Sequence, residues 1–144
     1  MEHGEKILRG VAALIGAAAS FVTGMPPLLL VLIAVMSIDY VTGLALAMMG
    51  KSEKTEHGGL SSGEAFRGLM KKGLILAVVA LSALIDVAVR ESAGIEFAAV
   101  TGASCLWFIA SEGISILENA ASMGIPVPGI VRQALEILKG EKNT

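Results

Sequence analysis

Long apolar stretches separated by short polar segments dominate the chain. The nearly uncharged stretches cover residues 7–23, 28–49, 73–89 and 97–117. A membrane-spanning helix needs roughly 20 apolar residues, so each stretch is close to the length that crosses a bilayer. Met25-Pro26-Pro27 ends the first stretch, because proline lacks the backbone N–H and restricts the residue before it. The pattern predicts an all-α membrane protein with about four transmembrane helices in hairpins, forming a single domain over residues 1–144.

Short amphipathic helices are predicted beside two of these stretches. In residues 60–72, apolar side chains share one face, and Arg67, Lys71 and Lys72 are expected to reach lipid headgroups as interface anchors. After Pro128, residues 129–139 place an apolar stripe opposite mostly polar side chains. At the first place, Ser61-Ser62-Gly63-Glu64 resembles a capping box, so we expect an interfacial turn of helix that starts there and leads into the third span. At the second we expect a surface helix or a contact between protomers.

The composition agrees with a membrane protein and excludes several other classes. The chain is 54% hydrophobic and 17% charged, whereas soluble domains have about 45–50% apolar and about 25% charged residues. Eleven basic residues against thirteen acidic ones leave no basic excess for binding nucleic acid. Cys105 is the single cysteine, which excludes a disulfide within the chain. His3 and His57 are isolated in sequence, so we expect no catalytic site, metal or cofactor.

The basic residues predict an orientation. All of the eleven Lys and Arg residues except Arg90 fall on one side of a four-span arrangement. Because Lys and Arg are enriched in cytoplasmic loops, both termini and the loop between the second and third spans are expected in the cytoplasm. Three spans, with the first stretch on the membrane surface, would keep this orientation after Leu28. Cleavage of the first stretch as a signal peptide is a further alternative.

Three carboxylates interrupt the predicted spans. Asp39 lies near the middle of the second span, where a carboxylate costs on the order of 2.5–3.5 kcal/mol. The predicted spans hold no Lys or Arg at that depth, so we expect Asp39 to be protonated, hydrogen-bonded to another helix or facing water. Asp86 is expected near the outer end of the third span. Glu112 is expected toward the inner end of the fourth, on a polar face with Ser111 and Ser115. These groups either bond across a closed bundle or line a surface that becomes wet when subunits assemble. A proton relay is a third alternative, which the different expected depths of the three carboxylates favour less.

Small residues recur every four positions in the first two stretches. Ala12, Gly16 and Ser20 share one face of the first stretch, and Gly43 and Ala47 follow Asp39 at the same spacing in the second. Membrane helices approach each other closely through such residues. The pattern is consistent with packing inside one protomer and with packing between protomers.

An ordered series of motifs resembles one known family. In chain order they are Asp39-Tyr40-Val41-Thr42-Gly43, Ser61-Ser62 with Arg67-Gly68-Leu69-Met70-Lys71-Lys72, Asp86, Ala110-Ser111-Glu112-Gly113-Ile114-Ser115-Ile116-Leu117-Glu118-Asn119 and Gly124-Ile125-Pro126-Val127-Pro128. From about residue 28 to residue 138, the chain resembles the holins of the toxin-secretion and phage-lysis type.

The resemblance implies a small multi-pass protein of the bacterial cytoplasmic membrane that forms homo-oligomers and opens holes. Such holes release a peptidoglycan hydrolase (an endolysin), which lyses the host, or a large toxin, and direct contact with that partner is not required. The expected partners are the lipid bilayer and further copies of the chain, without nucleic acid. The alternatives are a small-solute or ion transporter or channel subunit, and an inert or antagonist membrane protein derived from a prophage.

Overall fold

The computed structural model describes residues 2–23, 25–55, 57–95 and 99–139. Throughout these ranges every regular element is a helix. The helices are α1 (Glu2–Thr23), α2 (Pro27–Met48), α3 (Ser62–Ala93), α4 (Ala99–Ser122) and α5 (Gly129–Lys139). The predicted all-α fold is therefore confirmed.

Three of these helices are long and apolar enough to cross a membrane: α2, α3 and α4. The prediction of about four spans is thus corrected to three for the described residues. The first predicted span lies in α1, whose N-terminal part is charged and carries an exposed Glu5–Arg9 ion pair of 3.6 Å. Extensive packing between described residues involves only the other four helices. Ala12 and Gly16 are exposed, and the side chain of Ser20 lies outside the described ones.

The predicted boundaries fit three of the helices and fail for α3. Helix α2 begins one residue before the predicted 28–49 stretch, α4 covers most of 97–117, and α5 coincides with 129–139. By contrast, α3 begins at Ser62 rather than at residue 73. The turn of helix predicted to lead into the third span is confirmed as the first turns of α3, which continues through Lys72 into the apolar stretch. Ser61 precedes this helix as its N-cap residue but makes no side-chain capping hydrogen bond. The charged residues of these first turns do not end the helix, because they are paired or exposed at its surface.

Helix α4 lies at the centre of the bundle. It packs along α2, along α3 and against α5, whereas α2 and α3 contact each other much less. At about 1.5 Å per residue, α2 and α4 are roughly 33 and 36 Å long, enough for a hydrocarbon core of about 30 Å. Helix α3 is about 48 Å long on the same basis, so it extends beyond its neighbours.

The buried face of α3 repeats at alternating spacings of three and four residues. Ile75, Val79, Ser82 and Asp86 form this stripe, which is the spacing of a helix that keeps one face toward its neighbours. The apolar core of the bundle combines residues of all three spanning helices: Leu32, Met36, Ile75, Val79 and Cys105.

Glycines in the left-handed conformation follow α2, α3 and α4, and two of them form the same turn. Gly50 follows α2 with φ 69°, its N–H donates to the carbonyl of Ala47, and the N–H of Lys51 donates to that of Leu46. Gly124 follows α4 with φ 88° and takes part in the same pattern of hydrogen bonds. This Schellman arrangement satisfies the last carbonyls of each helix and turns the chain sharply. The turns lead into the loop before α3 and into α5.

Candidate functional site

A cluster of three charged side chains lies inside the bundle, one from each spanning helix. Lys72 on α3 donates a hydrogen bond of 2.8 Å from Nζ to Oδ2 of Asp39 on α2. The same ammonium forms a hydrogen-bonded ion pair with Oε2 of Glu112 on α4. The side chains of Lys72, Asp39 and Glu112 are only 12%, 14% and 3% exposed. This ionic cluster joins all three spanning helices through one ammonium group.

The prediction that no basic residue lies at the depth of Asp39 is wrong. Lys72 is at that depth because α3 begins well before the apolar stretch, which carries Lys72 into the bundle. Its ammonium therefore binds two carboxylates, although we expected it to reach lipid headgroups. Glu112 also lies level with Asp39 rather than toward the inner end of its helix, since both acids bind the same ammonium. Asp39 is about 18 Å from the first residue of α2 and about 14 Å from its last.

The other two predicted anchors have different surroundings. Lys71 is exposed, because consecutive helical residues point in directions about 100° apart. Arg67 is 79% exposed in its side chain and forms an ion pair with Glu64 at 2.6 Å. Both side chains are free of the ionic cluster, and their role at the membrane interface stays a prediction.

Asn119 extends the cluster toward the loop end of the bundle. Its Nδ2 donates to Oδ1 of Asp39 at 3.3 Å and to Oγ1 of Thr42 at 3.1 Å. A Cβ on Gly43 would lie 3.8 Å from this same Nδ2, so Gly43 faces Asn119 across the contact between α2 and α4. Asn119 and Thr42 stand in two of the motifs that carry the family resemblance, but the sequence analysis did not predict them as site residues. Their spacing is the available signal, because Asn119 is seven residues after Glu112 and therefore on the same helix face.

A pocket of about 210 Å³ adjoins the ionic cluster. Asp39 and Lys72 lie at its boundary, together with Ser115, Asn119 and Ala47. Gly43 and Lys71 also line it, whereas Ser111 is partly buried and outside the lining. The structure thus brings Asp39, Gly43, Ala47, Lys71, Lys72, Glu112 and Ser115 into one region of the bundle.

Asp86 lies at the opposite end, where its carboxylate caps α4. It accepts hydrogen bonds from the backbone N–H groups of Val100 and Thr101 at 3.1 and 2.9 Å. The hydroxyl of Thr101 donates a third bond of 2.5 Å. The first N–H groups of a helix lack partners within the helix and carry a partial positive charge, so a carboxylate is favourable there. Asp86 consequently fastens the end of α3 to the start of α4.

The electrostatics of the ionic cluster are unbalanced. With all three groups ionised, two carboxylates face one ammonium and leave one net negative charge. A buried charge is tolerated only when it is paired and hydrogen-bonded, and Asn119 supplies a further donor to Asp39. The arrangement holds three helices together in a closed bundle and would expose three charged groups if the helices separated.

Comparison with known proteins gives one family. A model described as the bacteriophage holin family matches residues 16–140. An uncharacterized protein of Halalkalibacterium halodurans is 38% identical over 141 residues, 96% of this chain and 98% of that protein. An uncharacterized protein of Clostridium perfringens is 34% identical over 78% of this chain and 75% of its own length. A probable holin of Bacillus phage phi105 is 30% identical over 74% of this chain and 70% of its own. No solved structure matches the chain significantly.

Proposed function

The chain belongs to the bacteriophage holin family, and we propose that its copies assemble in the bacterial cytoplasmic membrane and open holes. These holes release a peptidoglycan hydrolase, which lyses the cell, or a large toxin. The observation that carries the proposal is the ionic cluster of Asp39, Lys72 and Glu112. In this cluster, hydrophilic groups lie on the inner faces of the helices, whereas the outer faces are apolar and can contact lipid.

The mechanism follows from the cost of polar groups in lipid. In a lone protomer the three charged groups bond one another, so none of them contacts hydrocarbon. Lipid tails give helices no hydrophobic drive to associate, and polar contacts and close packing decide which helices pair. When many protomers assemble, the helices can exchange these contacts for water, and their polar faces then line a hydrated opening. Helix association within one protomer competes with assembly between protomers.

The proposed orientation places the loop between α2 and α3 in the cytoplasm, together with the C-terminus. Lys51, Lys54 and Arg67 lie on that side, with Arg132 after α4, whereas Arg90 lies at the other end of the bundle. This asymmetry matches the enrichment of basic residues in cytoplasmic loops. The chain then enters α2 from the outer face of the membrane.

Controlled expression in a bacterium tests the proposal. We expect an abrupt loss of membrane potential at a reproducible time after induction and the release of a co-expressed peptidoglycan hydrolase. An unrelated three-span membrane protein, accumulated to the same level, is the control for membrane crowding. Continued growth with intact potential at high expression would contradict hole formation.

A transporter or channel subunit is the second candidate, and the pocket beside the ionic cluster is the observation that favours it. The Asp39→Asn variant separates the two. It leaves one carboxylate paired with Lys72, so the bundle remains charge-balanced and folded. A carrier that depends on this carboxylate loses transport outright, whereas a holin shifts its time of triggering and still permeabilises the membrane. Transport assays in vesicles and lysis timing in cells measure the two outcomes.

A further inference from the structure

The two halves of the bundle differ in chemistry on either side of the ionic cluster. Toward the loop end, α3 carries Glu64, Arg67 and Lys71, while α4 carries Glu118 and Asn119. Toward the other end, the interior is the apolar core described above. The apolar stretch of α2 extends on both sides of Asp39. The apolar stretch of α3 begins only after Lys72, so it lies mostly on the side of the ionic cluster away from the loop.

The pocket occupies the polar half. Its floor includes Asp39 and Lys72, and its wall includes Ser115 and Asn119 on α4. Residues of the loop between α2 and α3, among them Lys54, line its outer part. The pocket thus extends from the loop end of the bundle to charged groups about 14 Å inward along α2.

The opposite half closes this path. Leu32 and Met36 of α2 are 0% and 5% exposed, and Val79 of α3 and Cys105 of α4 are 5% and 1% exposed. These side chains pack together directly beyond the ionic cluster. Packed apolar side chains of this kind leave little room for water. The hydroxyls of Ser82 and Ser104, which lie in the same half, hydrogen-bond each other at 2.8 Å.

We propose that the pocket is an aqueous vestibule, open to the cytoplasm, which brings water and small hydrophilic solutes to the ionic cluster of a single protomer. The apolar core is its seal toward the outer face. Hydration from the vestibule accounts for the unbalanced charge of the cluster, because a carboxylate in contact with water avoids most of the desolvation cost. The inference concerns the lone protomer and goes beyond the proposed function, which concerns assembled copies.

Single cysteines in a Cys105→Ala background test the vestibule. A membrane-impermeant thiosulfonate reagent reacts with thiolates, which form in water and not in lipid. In inverted membrane vesicles we expect Ser115→Cys, on the pocket wall, to react at least about tenfold faster than Val41→Cys, which faces lipid. Val41 is the matched control because it lies at a similar depth and is 62% exposed on the outer face of α2.

Two more cysteine positions test from which side of the membrane the pocket is reached and whether the apolar core closes it. Lys54→Cys, in the exposed loop, should react in inverted vesicles and stay protected in right-side-out vesicles, and Ser115→Cys should follow it. Val79→Cys, in the apolar core, should resist the reagent in both preparations. Labelling is measured at expression levels that preserve the membrane potential, so the result is independent of whether holes later form.

Three outcomes would overturn the vestibule. An unreactive Ser115→Cys means that the pocket is dry. Equal reactivity of Val41→Cys means that this half of the bundle lies outside the membrane. Reaction of Val79→Cys from the cytoplasmic side means that the apolar core is not a seal.

Discussion

Lys72 provides the countercharge that allows two acidic residues, Asp39 and Glu112, to lie inside the spanning helices. Its ammonium is the shared partner of Asp39 and Glu112, so neither carboxylate faces lipid alone. The residue is also the clearest limit of sequence-based prediction. A hydropathy boundary drawn between Lys72 and Gly73 assigns both adjacent lysines to the loop, yet the helix directs Lys71 outward and Lys72 inward. The spacing of Lys72 to Ile75 and Val79 is the signal that assigns it to the buried stripe.

Replacing Lys72 by methionine should destabilise the protein strongly. Without Lys72, the Glu112 carboxylate, which is 3% exposed and outside the pocket lining, has no countercharge, and breaking a buried ion pair in this way costs about 3–5 kcal/mol. We expect poor accumulation in the membrane and a lower midpoint of thermal unfolding in detergent. Lys71→Met, which removes the same charge from an exposed neighbour, is the control and should change stability little. Combining Lys72→Met with Asp39→Asn and Glu112→Gln should restore most of the lost stability. Equal stability of the Lys72→Met and Lys71→Met variants would refute the role of the cluster.

Removing the carboxylate of Asp86 should loosen the start of α4. Asp86→Ala deletes three hydrogen bonds, two of them from the backbone N–H groups of Val100 and Thr101. Loss of such a cap costs about 1–2 kcal/mol. Hydrogen exchange should therefore accelerate at these two amides. Glu91→Ala, at an exposed position of α3, is the comparison, and unchanged exchange in Asp86→Ala would contradict the capping role.

At the scale of the helices, a close contact with Tyr40 of α2 positions the first turns of α3. A Cβ on Gly68 would lie 3.6 Å from Cε2 of Tyr40, and the Tyr40 hydroxyl donates to the carbonyl of Ala65 at 3.4 Å. At this contact between α2 and α3, a Cβ would touch the aromatic ring at an ordinary distance, and the ring occupies the space that a larger side chain would need. The sequence predicted the bounds of α2 and α5, because prolines precede both helices. It also predicted a turn of helix before the third apolar stretch, but not that this turn and the stretch form one helix that carries Lys72 into the bundle, because those contacts come from other helices.

A large side chain at Gly68 should separate α3 from α2. Gly68→Leu forces the Tyr40 ring away, and overpacking of this kind costs about 1–3 kcal/mol. Gly73→Leu is the matched control, because a Cβ there meets nothing within 4 Å. Both changes remove one helical glycine, so the gain in helix propensity is shared. The difference between their unfolding midpoints measures the contact, and equal midpoints would show that the close approach is unimportant.

At the scale of the whole molecule, the described residues contain three helices that are long and apolar enough to cross a membrane, which is an odd number. The prediction that both termini are cytoplasmic requires an even number, so it loses the support of the fourth span. Segregation of basic residues still predicts the side of the loop and of the C-terminus. The predicted orientation of α2, α3 and α4 does not depend on the number of spans, because the distribution of basic residues after α1 is the same whether or not α1 crosses.

Topology reporters test this arrangement directly. A reporter inserted after Lys54 and one fused after Thr144 should both report the cytoplasm, since α3 and α4 separate them by two crossings. A reporter inserted at Gly94, between α3 and α4, should report the outer face. A fusion at Met1 should also report the outer face if only α2, α3 and α4 cross. A cytoplasmic Met1 would instead support the four-span prediction.

The shared ammonium of Lys72 also bears on the order in which the protein can be made. When α2 and α3 have left the ribosome, Asp39 and Lys72 form a pair with no net charge, and the growing chain can leave its insertion site as a neutral hairpin. Glu112 arrives last, on the helix that makes the most extensive contacts, and joins a partner already in position. The charge imbalance therefore appears only when synthesis of α4 is complete. A chain truncated after α3 would lack both the excess charge and the helix that closes the bundle.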